Sequence, residues 1–167
     1  MSSTFENVKT QLAGVWSLET ISFFMSPSLD GSPVAVLEGD KILGRAVFTA
    51  GGYMNGTVTF DHCDPASLSS AAWDKLTSEE ITRICRVMSS YSGPWSLVEE
   101  GNDILLKILV EIALNPCWEG SPQVRRQVKI EEVNGESLLT LVPMDEITLQ
   151  PGKVAYSKLV WKKIGPP

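Results

Sequence analysis

Short apolar runs of strand length recur about eight times along this chain with turn residues between them, and that recurrence restricts it to an all-β sandwich or barrel. The first run is Gly14 to Phe24, in which Trp16, Leu18 and Thr20 alternate with Val15, Ser17, Glu19 and Ile21. A polar, proline-containing connection follows from Ser26 to Asp40. Ile42 to Thr49 and Tyr53 to Phe60 then flank Ala50-Gly51-Gly52, a loop of hairpin length whose glycines accept positive φ. Between Asp64 and Ser90 the period lengthens to that of a helix. Thr77 and Glu80 form a capping box, and Ile81, Ile84, Cys85, Met88 and Tyr91 share one helical stripe, preceded by a shorter helical turn around Leu68 to Leu76. Strands return over Trp95 to Glu99, Ile104 to Ala113, Gln123 to Val133, Ser137 to Val142 and Val154 to Trp161, with Asn134-Gly135 suited to a tight hairpin. The short connections imply an antiparallel meander. Left open, it exposes two long edges, so the expected fold is an eight-stranded antiparallel β-barrel with a helix inserted between strands 3 and 4. Such a barrel holds its own side chains or one small ligand.

The length of 167 residues suits one domain spanning the whole chain, residues 1–167. With 14 Lys+Arg against 20 Asp+Glu the net charge is −6, which argues against nucleic acid and against an anionic membrane as partners. Met1 to Gln11 lacks a basic start followed by an apolar stretch, and no run approaches a membrane span, so the expectation is a cytoplasmic protein. Cys63, Cys85 and Cys117 are odd in number and far apart, the pattern of reduced, mostly buried thiols. One His, without CxxC or HExxH, gives no zinc site, and Gly51-Gly52 is not followed by the Lys-Ser/Thr of a phosphate loop. No cofactor is therefore expected.

Candidate chemistry rests on few residues. His62, between Asp61 and Asp64, is the only imidazole and follows a strand end, where loops carry functional groups; a solvated loop histidine is the plainer role. On Gln123 to Val133, one face reads Val124, Arg126, Val128, Ile130 and the other Gln123, Arg125, Gln127, Lys129. If the first faces inward, Arg126 needs a partner such as Glu111, or receives an acidic or carbonyl group of a ligand; the other register brings Arg125 inside instead. Tyr53, Tyr91 and Trp118 lie at strand ends or turns, where an aromatic walls a pocket. Candidate catalytic groups are thus Arg126, Tyr53 and His62, and candidate ligand contacts are Asn55, Phe48, Tyr91, Trp118, Glu111, Arg125 and Met88. No Gly-x-Ser-x-Gly elbow is present, and neighbouring acids such as Glu99-Glu100 and Glu131-Glu132 point to opposite strand faces, so neither triad nor glycosidase chemistry is supported.

Leu12-Ala13-Gly14-Val15-Trp16 carries the Gly-x-Trp that opens the first strand of lipocalins. Gly44 to Met54, Tyr91-Ser92-Gly93, Asn115 to Gly120, Gln123 to Arg126 and Leu159 to Lys163 follow in order, and together they resemble the motifs of the small lipocalin-like domain family. The resemblance implies a lipocalin-like barrel in which Lys162 or Lys163 stands where lipocalins often stack Arg over the first-strand indole. Ile108 and Leu109 occupy positions where relatives commonly carry His. Since the family spans carriers and barrels of natural-product pathways, two roles are expected for an apolar, cofactor-free interior. One is a cyclase or isomerase, of Diels–Alder type for example, acting on an enclosed apolar intermediate; the other is a carrier that binds a hydrophobic small molecule unchanged. A barrel packed solid would exclude both.

Overall fold

Glycine, proline and polar clusters divide the chain into eleven strands, and in the computed structural model, which describes residues 5–60, 64–150 and 152–166, these join one antiparallel sheet closed on itself. Eight strands form the ring: β1 (Gly14–Phe24), β3 (Ile42–Phe48), β4 (Tyr53–Phe60), β5 (Met88–Glu100), β6 (Asp103–Leu109), β8 (Pro122–Val133), β9 (Glu136–Pro143) and β11 (Lys153–Gly165), which returns to β1. Three short strands sit beside ring members: β2 (Ala35–Glu38) on β1, β7 (Ile112–Ala113) on β5 and β10 (Ile147–Gln150) on β11. The helices are α1 (Phe5–Leu12) and α2 (Ser78–Arg86). No helix among the described residues is long and apolar enough to cross a membrane.

The all-β barrel of eight antiparallel strands is as expected, but the inserted helix is not between strands 3 and 4. It follows β4, because Ala35–Glu38, read as part of a polar connection, pairs with Thr20–Phe23 and adds a strand before it. The helix is also shorter than the stripe running to Tyr91 implies. Helix α2 stops at Arg86, and Met88 and Tyr91 belong to β5, whose inward residues Ser89, Tyr91, Gly93 and Trp95 carry too little apolar bulk to announce a period of two. In place of a helical turn at Leu68 to Leu76 there are two single 3₁₀ turns, Pro65–Ser67 and Trp73–Lys75. Of the thiols expected to be mostly buried, Cys85 is partly buried and Cys117 exposed, whereas Cys63 lies outside the described residues.

The run Ile104 to Ala113 breaks after Leu109 for a steric reason. A Cβ on Gly93 would stand 1.9 Å from the Leu109 carbonyl oxygen, so β5 passes the end of β6 only because it has none there. Val110 then leaves the ladder: its N–H donates to Ser121 O at 3.1 Å, and it accepts from Gly120 N at 2.8 Å.

One end of the barrel is closed by α1. Val8 and Leu12 are fully buried against the core, and the Trp16 indole N–H donates to Leu12 O at 2.8 Å. Lys163 lies over the Trp16 ring, Nζ 5.3 Å from its centroid, and donates to Gln11 O at 2.8 Å, so one cation serves both the indole and the last turn of the helix. Burial lowers the Lys163 pKa, an effect Glu132 partly offsets. Lys162 turns outward to Glu136 at 2.9 Å, which raises its pKa.

Gly93→Ala is expected to lower unfolding free energy by about 3 kcal/mol or more, because the obstruction is backbone. Gly51→Ala, whose Cβ meets nothing closer than Thr49 Oγ1 at 3.9 Å, stays within about 0.5 kcal/mol. Urea unfolding of both variants checks the contrast.

Candidate functional site

Strict alternation would carry one set of side chains along the whole inner wall, yet two strands change face midway. In β1 the register against β11 slips between Leu18 and Thr20, so Trp16 and Leu18 are buried in the first half and Ile21 and Phe23 in the second. In β8 it slips against β9 between Arg126 and Lys129, with Gln127 at φ +53°. Val128 and Ile130 face inward beyond the slip, and Gln123 and Arg125 before it. Each slip is a β-bulge, which adds one residue and inverts the alternation. Because β8 runs antiparallel to β1, the half of β1 after its slip and the half of β8 before its slip lie toward the end opposite α1.

There the interior is hollow. A cavity of about 500 Å³ is walled by Ile21 and Phe23 of β1, Phe48 of β3, Met54, Val58 and Phe60 of β4, Leu106 and Ile108 of β6, and Leu141, Leu159 and Trp161 of the closing strands. Its size falls within the roughly 300–1,000 Å³ of small-molecule sites. Gly56 and Ala46 leave room that larger residues would fill. The polar members are few: Ser89, Ser157, Tyr91, Gln123 and Arg125 inside, with Asp145 and Glu146 exposed at the mouth.

Arg125 is held by neutral groups. Its Nη1 donates to Val124 O at 3.0 Å, and its Nη2 donates to Tyr91 Oη at 3.0 Å and to Gln123 Oε1 at 3.3 Å. The guanidinium carbon is 5.9 Å from the Tyr91 ring centroid, and Trp118 meets that ring edge to face at 6.0 Å. Because the Tyr91 oxygen accepts from Arg125, its own O–H is left to donate elsewhere. The Trp161 indole N–H is buried and has no acceptor among the described residues. No three His, Cys, Asp or Glu side chains converge as metal ligands among the described residues.

Of the residues singled out from sequence, Phe48, Tyr91, Trp118 and Arg125 line this cavity. The others do not. Tyr53 and Asn55 alternate outward from Met54 and Gly56, and Tyr53 donates to the Glu111 carboxylate at 2.8 Å on the outer surface. Glu111 is therefore not the partner of an interior arginine. Arg126 lies on the opposite face of β8 from Arg125 and donates to Pro27 O in the connection after β1, since the bulge at Gln127 inverts the alternation that suggested it faces inward with Val128 and Ile130. Met88 stands at the exposed start of β5, and His62 lies outside the described residues. Sequence reasoning missed Gln123, Met54 and Trp161; their parity with Arg125, Gly56 and Leu159 marks them once one inward residue per strand is known.

Helix α2 stands beyond β4 at the mouth end. Glu80 accepts from Thr77 N at 2.8 Å and Ser69 N at 2.6 Å, and from the Ser69 and Thr77 hydroxyls, completing the capping box and tying the preceding loop to the helix. Those bonds, the Thr77 N–H first, lower its pKa from 4.5 to about 2.

A depressed carboxylate stabilises the fold above its unfolded pKa and ceases to do so as the pH falls through the folded one. The stability advantage of the wild type over Glu80→Gln is thus expected to be constant from pH 7 to about 4.5 and to fade by about 2, as measured by urea unfolding across pH. At the bulge, Gln127→Val is expected to cost about 1–2 kcal/mol, because a branched side chain resists positive φ, while Gln127→Gly stays within about 1 kcal/mol of wild type. The same unfolding assay separates them.

The family model described as a lipocalin-like domain matches residues 13–164. No curated protein and no solved structure matches the chain.

Proposed function

The chain belongs to the lipocalin-like domain family, and from that premise we propose that its barrel encloses one apolar small molecule in the cavity between the Trp161 floor and the Asp145–Glu146 mouth. The observation that carries this reading is the cavity itself, about 500 Å³ lined almost entirely by aliphatic and aromatic side chains. Covering an apolar guest with these walls removes its surface from water at roughly 25 cal/mol per Å². The aromatic walls add shape: Phe48 packs edge to face on Trp95 at 6.0 Å below, and Tyr91 on Trp118 above.

A second reading makes the enclosed molecule a substrate that is cyclised or isomerised without a cofactor. The Tyr91–Arg125 pair supports it, because a phenol O–H beside a guanidinium supplies donors to a carbonyl whose negative charge grows in a cyclisation or isomerisation transition state. Walls that hold a flexible polyene folded supply the rest by restricting it to a reactive conformer.

Binding is expected to raise the melting temperature progressively with ligand concentration, corresponding to about 2.7 kcal/mol at one hundred times Kd. Gly56→Leu, which projects into the cavity where only the flexible end of Met54 stands within 3.3 Å, removes that shift while leaving the ligand-free fold intact. A thermal-shift screen of polyenes and polycyclic enones against both proteins tests this, and a shift of equal size in both overturns it. Product formation from the hits, compared with the buffer reaction by chromatography, separates the two readings.

A further inference from the structure

Among the described residues, Arg125 is the one cation lining the cavity. Three of its N–H bonds go to neutral acceptors, the Val124 carbonyl, the Tyr91 hydroxyl and the Gln123 amide. A guanidinium has five donors, so two remain without a protein acceptor among the described residues. Among the described residues the ion pairs are Lys129–Glu131 and Lys162–Glu136, both on the outer surface, and no described carboxylate lies within 4.0 Å of Arg125. Asp145 and Glu146 share the cavity lining but stay in water at its rim.

A partly desolvated cation held only by neutral groups keeps its charge uncompensated, and that costs free energy unless an anion arrives. Its three protein contacts meanwhile fix its orientation, with Gln123 buried beside it and Trp118 bracing the Tyr91 ring. Neighbouring Arg126, on the other face of β8, donates to the Pro27 carbonyl outside the barrel, and its buried Nε–H has no acceptor among the described residues.

We propose that the guest is an apolar molecule carrying a carboxylate, with that acid group on Arg125 beside Tyr91 and Gln123 and the apolar body directed toward Phe48 and Trp161. This rests on the binding reading above and adds the chemical class of the ligand. A neutral ester of the same body fits the apolar walls but leaves the guanidinium unpaired, whereas the acid fills it with charge-assisted hydrogen bonds.

The test titrates cis-parinaric acid and its methyl ester, two probes with one polyene body, into wild-type protein and Arg125→Met, following polyene fluorescence. The wild type is expected to bind the acid about 10- to 100-fold more tightly than the ester, the range for hydrogen bonds to a charged group. R125M loses that preference while its ester affinity stays within about threefold. Should R125M fail to fold by circular dichroism, Arg125→Lys replaces it and keeps only part of the preference, because an ammonium on a flexible stem does not reproduce the planar fork. Equal affinity of the wild type for acid and ester overturns the proposal and leaves the binding reading standing. An acid preference that survives R125M overturns the assignment to Arg125, and absence of binding by either probe overturns both readings.

Discussion

Everything interior to this molecule depends on the hydrogen bonds between β1 and β11, which join the two ends of the sheet from Val15 opposite Gly165 to Phe24 opposite Tyr156. Without that pairing the meander would have two free edges and no inside, and the apolar faces of eight strands would confront water. The same pairing contains the slip after Leu18, which brings Ile21 and Phe23 to the cavity wall where unbroken alternation would bring Thr20 and Ser22. Closure and cavity lining are therefore set by one ladder. The α1 end reinforces it: Trp16 and Lys163 are register partners across the closing pair, and a cation–π contact joins their side chains.

The arrangement divides the barrel by function as well as by packing. Toward α1 the interior is filled by Trp16, Leu18, Ile130 and Leu139, and a helix seals it. Toward the other end the strands continue but the filling stops, and the connections grow longer: Met25–Val34 after β1, the segment carrying α2 after β4, the turn bearing Trp118 after β7, and Met144–Glu146 after β9. Tight turns and long connections are placed at opposite ends, because hairpins such as Asn134-Gly135, both at positive φ, close the α1 end and leave the longer chain for the other.

How much of this was legible in the sequence follows from what each feature needs. The ring strands announce themselves by alternation and turn residues, the capping box at Thr77 and Glu80 by its spacing, and the Asn-Gly hairpin by composition. Helix α1 had a trace in the spacing of Phe5, Val8 and Leu12, but eight residues with so short a stripe are indistinguishable from a polar terminus. The edge strands β2 and β10, four residues each, carry too few alternations to stand out from a loop. The start of β5 was hidden because Ser89, facing the cavity, and Gly93, against the Leu109 carbonyl, occupy inward positions without apolar bulk. The faces of β8 were the costliest ambiguity. Gln127 takes a backbone conformation usually assigned to glycine or asparagine, so nothing in its chemistry marks the bulge.

That bulge decides what two adjacent arginines do. With Val128 and Ile130 fixed inward by the core, an unbroken strand would put Arg126 in the cavity and leave Arg125 to the outer face. The extra residue at Gln127 exchanges them: Arg125 enters beside Tyr91 and Gln123, and Arg126 reaches out to hold the Pro27 carbonyl of the connection after β1. One backbone irregularity thereby supplies the cavity with its cation and the mouth with a tie between β8 and the chain that follows β1. The polarity of the site is a property of strand register before it is one of composition, and a relative with the same two arginines but no bulge would present a different interior to its ligand.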